Sequence, residues 1–135
     1  MSHLLDTNTI VDHLRRGAAS KVTARLKAAP AGSVFLCSVV VGELVYGAHI
    51  SGQSHQAANL SLVAGLQSRY VSLPFDDRAA AEYGKLRAHL GAVGQLIGPN
   101  DLLIAATALA NGVTRVTNNT REFSRAPGLA LEDWQ

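Results

Sequence analysis

Short apolar runs recur along the chain, separated by longer stretches with helical spacing. His3-Leu4-Leu5, Val34-Phe35-Leu36-Cys37, Tyr70–Leu73 and Arg115-Val116-Thr117 read as strands, and Leu129-Ala130-Leu131 is a candidate fifth. Between them lie the helical patterns. Thr9–Arg16 places Ile10, Val11 and Leu14 on one side, and Gly17 breaks it. Lys21–Ala29 is a second helix, ended by Pro30 and Gly32. Ser38 stands where it can cap a helix over Val39–His49, and Gly52–Arg69 holds another that begins near Ser54. Asp76 or Asp77 caps a long helix to about Leu90. Gly98-Pro99 opens a last one to Ala110, with Gly112 just past its end. Strands alternating with helices predict parallel βαβ units, hence an α/β fold with a central parallel sheet flanked by helices. Ligands of such sheets bind beyond the carboxyl ends of the strands. Asp6, the helix carrying Glu43, and Thr117-Asn118-Asn119 all follow strand-like segments, so chemistry is expected there.

Length and composition narrow the picture. At 135 residues the chain predicts a single domain, residues 1–135. A hydrophobic share of 47% against 16% charged residues excludes a disordered chain. The lone Cys37 excludes an internal disulfide, and with five scattered histidines it argues against a zinc cage. Early charges at Asp6, Asp12, Arg15 and Arg16 interrupt any secretory leader, and Leu102–Ala110 is far short of the ~20 residues a membrane helix needs. The expectation is a cytoplasmic protein without membrane association. The net charge of +2 is a weak pointer to an anionic partner, but its distribution is uneven. Arg15, Arg16, Lys21, Arg25 and Lys27 fall between His13 and Gly42 with no acid among them. They form either a solvated helix face or a phosphate-contacting one.

Three acids stand in apolar surroundings, where an unpaired carboxylate is costly. Glu43 is the only charge from Phe35 to Ala48, and its helical neighbours are Val39, Val40, Tyr46 and Gly47. Asp101 is the only charge between Val93 and Thr114, and Asp6 closes an apolar strand. Each has a structural account. Asp6 can cap the following helix, Asp101 suits the first turn after Pro99, and Glu43 could be a lone buried acid satisfied by backbone donors or kept neutral. A common account of all three is convergence at one sheet edge, with a divalent cation removing their repulsion. All-oxygen ligands suit Mg²⁺ or Mn²⁺, which can activate a water and stabilise the leaving oxygen of a phosphodiester.

The segments Leu4-Leu5-Asp6-Thr7-Asn8, Ser38-Val39-Val40-Val41-Gly42-Glu43-Leu44, Gly98-Pro99-Asn100-Asp101-Leu102-Leu103-Ile104-Ala105-Ala106 and Val116-Thr117-Asn118-Asn119-Thr120-Arg121-Glu122-Phe123 resemble PIN-domain proteins. More narrowly, they resemble the VapC ribonuclease toxins of bacterial toxin–antitoxin pairs. The likeness extends to Leu73-Pro74-Phe75-Asp76 and the tail from Pro127 to Trp134. It implies a three-layer sandwich, a homodimer, Mg²⁺-dependent cleavage of structured RNA such as tRNA, and inhibition by a small VapB-like antitoxin. It also implies that Asp6, Glu43 and Asp101 are the core acids. Asp6 and Asp101 would ligate the metal directly, and Glu43 directly or through water. A fourth family position, often Asp, is Asn119 here, which offers a carbonyl oxygen but no charge. Glu122 either compensates or is a solvated helix residue.

Thr7, Asn8, Ser38, Thr117 and Asn119 are expected to hold carboxylates and waters around the site by hydrogen bonds. Asn8 and Ser38 are also plain helix-cap residues. Arg15, Arg16 and Arg121 are the candidates for RNA phosphate contacts. Trp134 reads as a packing anchor. Two other readings compete with this one. A phosphatase of the haloacid dehalogenase type would need an acid where Asn8 stands. A PIN-like module that binds RNA or a partner without cutting is kept open by Asn119.

Overall fold

The computed structural model describes residues 1–135. Five strands form one sheet, every pairing parallel: β1 (His3–Leu5), β2 (Val34–Cys37), β3 (Val71–Leu73), β4 (Thr114–Val116) and β5 (Leu131–Glu132), in the order β3-β2-β1-β4-β5. Seven helices flank it: α1 (Thr7–Arg16), α2 (Lys21–Ala28), α3 (Ser38–His49), α4 (Gln53–Arg69), α5 (Asp77–Ala92), α6 (Pro99–Asn111) and α7 (Thr120–Phe123). The expected α/β sandwich with a central parallel sheet is the architecture found. The strand order carries the functional consequence. The chain grows one way from β1 through β2 to β3, then crosses back to place β4 and β5 on the other side of β1. The crevice beyond the carboxyl ends of β1 and β4 is therefore a topological switch point, where open α/β sheets bind ligands.

Local chemistry explains most element boundaries. The Asp6 side chain accepts from Thr7 N (2.8 Å), so α1 starts two residues earlier than its apolar pattern suggests. Ser20 caps α2 by accepting from Val22 N and Thr23 N, and Asp76 caps α5 by accepting from Ala79 N. Pro99 opens α6 with its fixed φ, and Gly112 closes it at φ +62°, a left-handed cap that suits glycine. Ser38 does not cap α3. The N-cap position is taken by buried Cys37, with no side-chain bond, and Ser38 is the first helical residue, exposed. The strand ends at Cys37 as expected, and the helix begins one residue earlier than the polar signal implied. The short 3-10 turn Gly17–Ala19 and the four-residue α7 are too brief to leave a period in the sequence.

The principal core joins Leu4 and Leu5 of β1, Ile10 of α1, Val22 and Leu26 of α2, Leu36 of β2, Val40 and Leu44 of α3, and Ile104 and Ala108 of α6. A satellite core gathers Leu86 and Leu90 of α5, Leu102 and Ala105 of α6, and Phe123 of α7. Helix α6 belongs to both, so the N-terminal turn that carries Asp101 is held from two sides. Trp134 closes the structure as expected of an anchor: it is buried, its ring lies 5.0 Å from that of His3, and its indole N–H donates to Glu132 (3.1 Å). No helix is long and apolar enough to cross a membrane.

Candidate active site

Asp6 and Asp101, 95 positions apart in the chain, are brought to one cation, and that cation belongs to the protein. Arg115 Nη2 lies 3.2 Å from Asp6 Oδ1 and 3.2 Å from Asp101 Oδ1. Arg115 Nη1 donates to the Asp101 backbone carbonyl at 3.0 Å. The Arg115 side chain is completely buried, the Asp6 side chain is 8% exposed and that of Asp101 35%. Strand β1 delivers Asp6, the first turn of α6 delivers Asp101, and the central residue of β4 supplies the arginine between them.

The remaining oxygens of Asp6 are also committed. Oδ2 accepts from the Thr117 hydroxyl at 2.8 Å, and Oδ1 accepts from Thr7 N as well as facing Arg115. Thr117 accepts in turn from Asn119 N at 3.1 Å, which ties the end of β4 to the turn before α7. Asp101 is less enclosed. Its Oδ2 has no partner and faces Gly98, where a Cβ would come within 3.2 Å of it. Burial pushes the Asp101 carboxyl above the usual carboxylate range; Arg115 pulls it back and Asp6 pushes it further up.

Glu43 joins through Thr7, whose hydroxyl donates to Glu43 Oε1 at 2.7 Å. The lone-acid account of Glu43 fails, because its side chain is half-buried rather than enclosed in apolar packing. It borders an open polar cavity of about 270 Å³ shared with Gly98, Pro99, Asn100 and Asp101. It also borders a second cavity of about 450 Å³ whose wall includes Thr7, Val11, Arg15 and Leu62. The three acids thus occupy one edge of the sheet, but no three acidic, histidine or cysteine side chains form a ready-made metal cage. The expected meeting of three carboxylates around an ion is realised as two carboxylates around Arg115, with the third linked by Thr7.

Of the residues expected to support the acids, Thr7, Thr117 and Asn119 make bonds at the site. The Asn119 amide donates to Glu122 Oε2 at 2.7 Å, so Glu122 is held beside the cluster, close enough to raise the Asp101 carboxyl further. Asn8 and Ser38 are exposed and make no side-chain hydrogen bond; the capping role open to Asn8 is taken by Asp6. Among the basic candidates, Arg15 lines the larger cavity beside Glu43. Arg121 is exposed on α7 next to Glu122. Arg16 is engaged elsewhere, with Asp12 (3.4 Å) and the Ala19 carbonyl (3.4 Å).

Arg115 was not singled out from the sequence, where it reads as part of an apolar strand. A signal was present nonetheless: it is the only charge between Asp101 and Arg121, set among Val113, Thr114, Val116 and Thr117. The reasoning that flags an acid in an apolar run flags this base equally.

The crevice is thus an acidic, oxygen-lined site at the switch point of a parallel α/β sheet, which places the protein in the class of open α/β folds that bind ligands at that edge. The chain belongs to the PIN-domain family, whose sequence pattern matches residues 3–129. It is 39% identical over 134 residues to the tRNA(fMet)-specific endonuclease VapC of Shigella flexneri, covering 99% of this chain and 98% of that protein. It is 34% identical over 134 residues to a ribonuclease VapC of Haemophilus influenzae, with the same coverage, 99% and 98%. Among solved structures, DNA-bound VapBC from Salmonella typhimurium superposes with a TM-score of 0.91 at 36% identity, over 100% of this chain and 99% of that one.

Proposed function

We propose that this chain is the ribonuclease toxin of a VapBC-type toxin–antitoxin pair, a hydrolase that cuts a phosphodiester bond of structured RNA, with transfer RNA as the first substrate to test. The observation that carries the reading is the meeting of Asp6 and Asp101 at the β1/β4 switch point, with Glu43 tied in through Thr7. Relatives over nearly the whole chain carry ribonuclease names, and the solved structure described above is of a VapBC assembly.

The donor chemistry of these residues suits a divalent ion, although they do not stand as a preformed cage. The donors are all hard oxygens, Asp101 Oδ2 and Glu43 Oε2 are uncommitted, and the polar cavity between them has room for a hydrated cation. Asp6, Asp101 and Glu43 would hold it, with Mg²⁺ as the expected ion and Mn²⁺ as a substitute. Such an ion supplies Lewis-acid stabilisation of phosphate charge and lowers the pKa of bound water. The protein's own groups do the rest. Thr7 and Thr117 fix the Glu43 and Asp6 carboxylates by hydrogen bonds, so little reorganisation is needed when substrate arrives. Asn119 holds Glu122 at the rim. Arg15, on the cavity wall, and Arg121 supply positive charge for the RNA backbone. Residues 1–135 act as one PIN unit in the cytoplasm, as a homodimer neutralised by a VapB-like antitoxin.

The test is cleavage of a tRNA pool by the purified chain in Mg²⁺ and in EDTA, with Asp101→Asn as the control. Cleavage in Mg²⁺ alone, lost by at least about 100-fold in a variant with unchanged circular dichroism, is the expected result. Full activity of that variant removes Asp101 from the mechanism. One observation favours a second reading, a PIN module that binds RNA without cutting: Arg115 already offsets half the charge of the carboxylate pair, and Asn119 adds no charge. RNA binding without cleavage at any divalent concentration would select it.

A further inference from the structure

Arg115 is the only basic residue of the chain that is buried, and its exposure is zero. Its setting is polar on one side and aromatic on the other. The guanidinium carbon sits 3.5 Å from the centroid of the Phe123 ring, Nη1 and Nη2 serve Asp101 and Asp6, and Nε is buried without a hydrogen-bond partner. A buried charge with an orphaned donor is expensive to keep for architecture alone, since well-packed apolar residues often replace such ion pairs without loss. The two carboxylates supply the reason for keeping it. Without a cation between them they would face one another in a half-buried site, where repulsion is weakly screened.

We infer that Arg115 is a built-in counter-cation of the metal site, a positioning residue that holds Asp6 and Asp101 together in the metal-free protein and lowers the site's affinity for divalent ions. The inference rests on the proposed metal-dependent reading and deepens it. The guanidinium touches Oδ1 of both acids and leaves Asp101 Oδ2 and the Glu43 side free, so it shares the carboxylates with an ion rather than blocking the cavity. Two consequences follow. The free protein stands with its acids already arranged, and occupancy by the ion responds to the divalent concentration instead of being saturated at all times. With Asn119 in place of a fourth acid, both residues push the site in the same direction, toward weaker metal binding.

The test is Mn²⁺ binding to the full chain by calorimetry, with melting temperatures in EDTA and in Mn²⁺, for the wild type, Arg115→Met and Arg115→Lys. Removing one positive charge within about 5 Å of a divalent ion tightens binding at least about tenfold even with water-like screening. Arg115→Met is therefore expected to bind Mn²⁺ at least about tenfold more tightly, to melt lower in EDTA, and to gain more from Mn²⁺ than the wild type does. Arg115→Lys keeps the charge and is expected to stay within about threefold of the wild-type affinity. A purely architectural arginine gives the opposite sign: loosened carboxylates and weaker binding in the Met variant. Equal or weaker Mn²⁺ binding by Arg115→Met overturns this inference alone. Absence of Mn²⁺ binding in wild type and variant alike overturns the metal-site reading with it. Should Arg115→Met not fold in EDTA, Arg115→Gln carries the same expectation, and folding of either variant only with Mn²⁺ supports it. Failure of both to fold even with Mn²⁺ assigns Arg115 to architecture and overturns it.

Discussion

Replacing Thr117 by valine removes one hydroxyl while keeping shape and volume, and the structure says what that hydroxyl does. It donates 2.8 Å to Asp6 Oδ2 in a fully buried position and accepts 3.1 Å from Asn119 N. The first bond ends on a carboxylate and is worth about 1.5–3 kcal/mol net; losing the second adds about 1 kcal/mol. Thr117→Val should therefore destabilise the fold by about 2.5–4 kcal/mol. At this chain length that lowers Tm by roughly 8–20 °C. Urea unfolding followed by circular dichroism gives the free energy, and a cycle with Asp6→Asn isolates the pair. Because the Asn variant weakens the same bond, the two changes should couple by about 1 kcal/mol or more. Cleavage should also fall, since Asp6 keeps its place but loses the group that fixes Oδ2. A loss below about 1 kcal/mol, or strict additivity with Asp6→Asn, would refute the claim that Thr117 aims Asp6.

Two further outcomes follow from the same geometry. Asn119→Asp places a second carboxylate against Glu122 Oε2, where an amide now donates at 2.7 Å; Tm in EDTA should drop and Mn²⁺ affinity by calorimetry should tighten about three- to tenfold, and unchanged affinity would mean that the side chain does not face the ion. At the C-terminal clamp, the Trp134 indole, then His3 and Arg25, hold the Glu132 carboxyl below its ordinary value near 4.5, so it contributes stability that is present above that value and lost as the pH falls through the lowered one. Glu132→Gln should lower Tm at pH 7 and converge on the wild type in acid, and an equal gap at both pH values would contradict that origin.

The fold was legible because its signals are local and repeated. Apolar runs of strand length alternate with helical spacing, and Pro99, Gly112 and Asp76 mark helix ends by chemistry that neighbours do not override. One boundary moved because a site residue took a structural duty: Asp6 capped α1 and began the helix at Thr7. The acids were legible for the complementary reason: Glu43 and Asp101 are charges without local partners. What escaped was pairwise and nonlocal. Arg115 stands out as a charge in an apolar strand, but nothing in the chain tells that it meets Asp101, because only the crossover that lays β4 beside β1 brings the guanidinium to both acids. Thr7 as the link between Asp6 and Glu43 is of the same kind, a contact between the start of α1 and the middle of α3. Ser38 erred in the other direction. A residue type good at capping sits beside a helix start without capping it, since the strand before it stays extended through Cys37.

The central claim is that Asp6, Glu43 and Asp101 serve one divalent ion at the β1/β4 crevice, and the most direct test is a Mn²⁺ titration of the wild type beside Asp6→Asn, Glu43→Gln and Asp101→Asn. Saturable binding by the wild type is expected, weakened at least about tenfold by each substitution in a folded protein. Wild-type affinity retained in all three variants would contradict it.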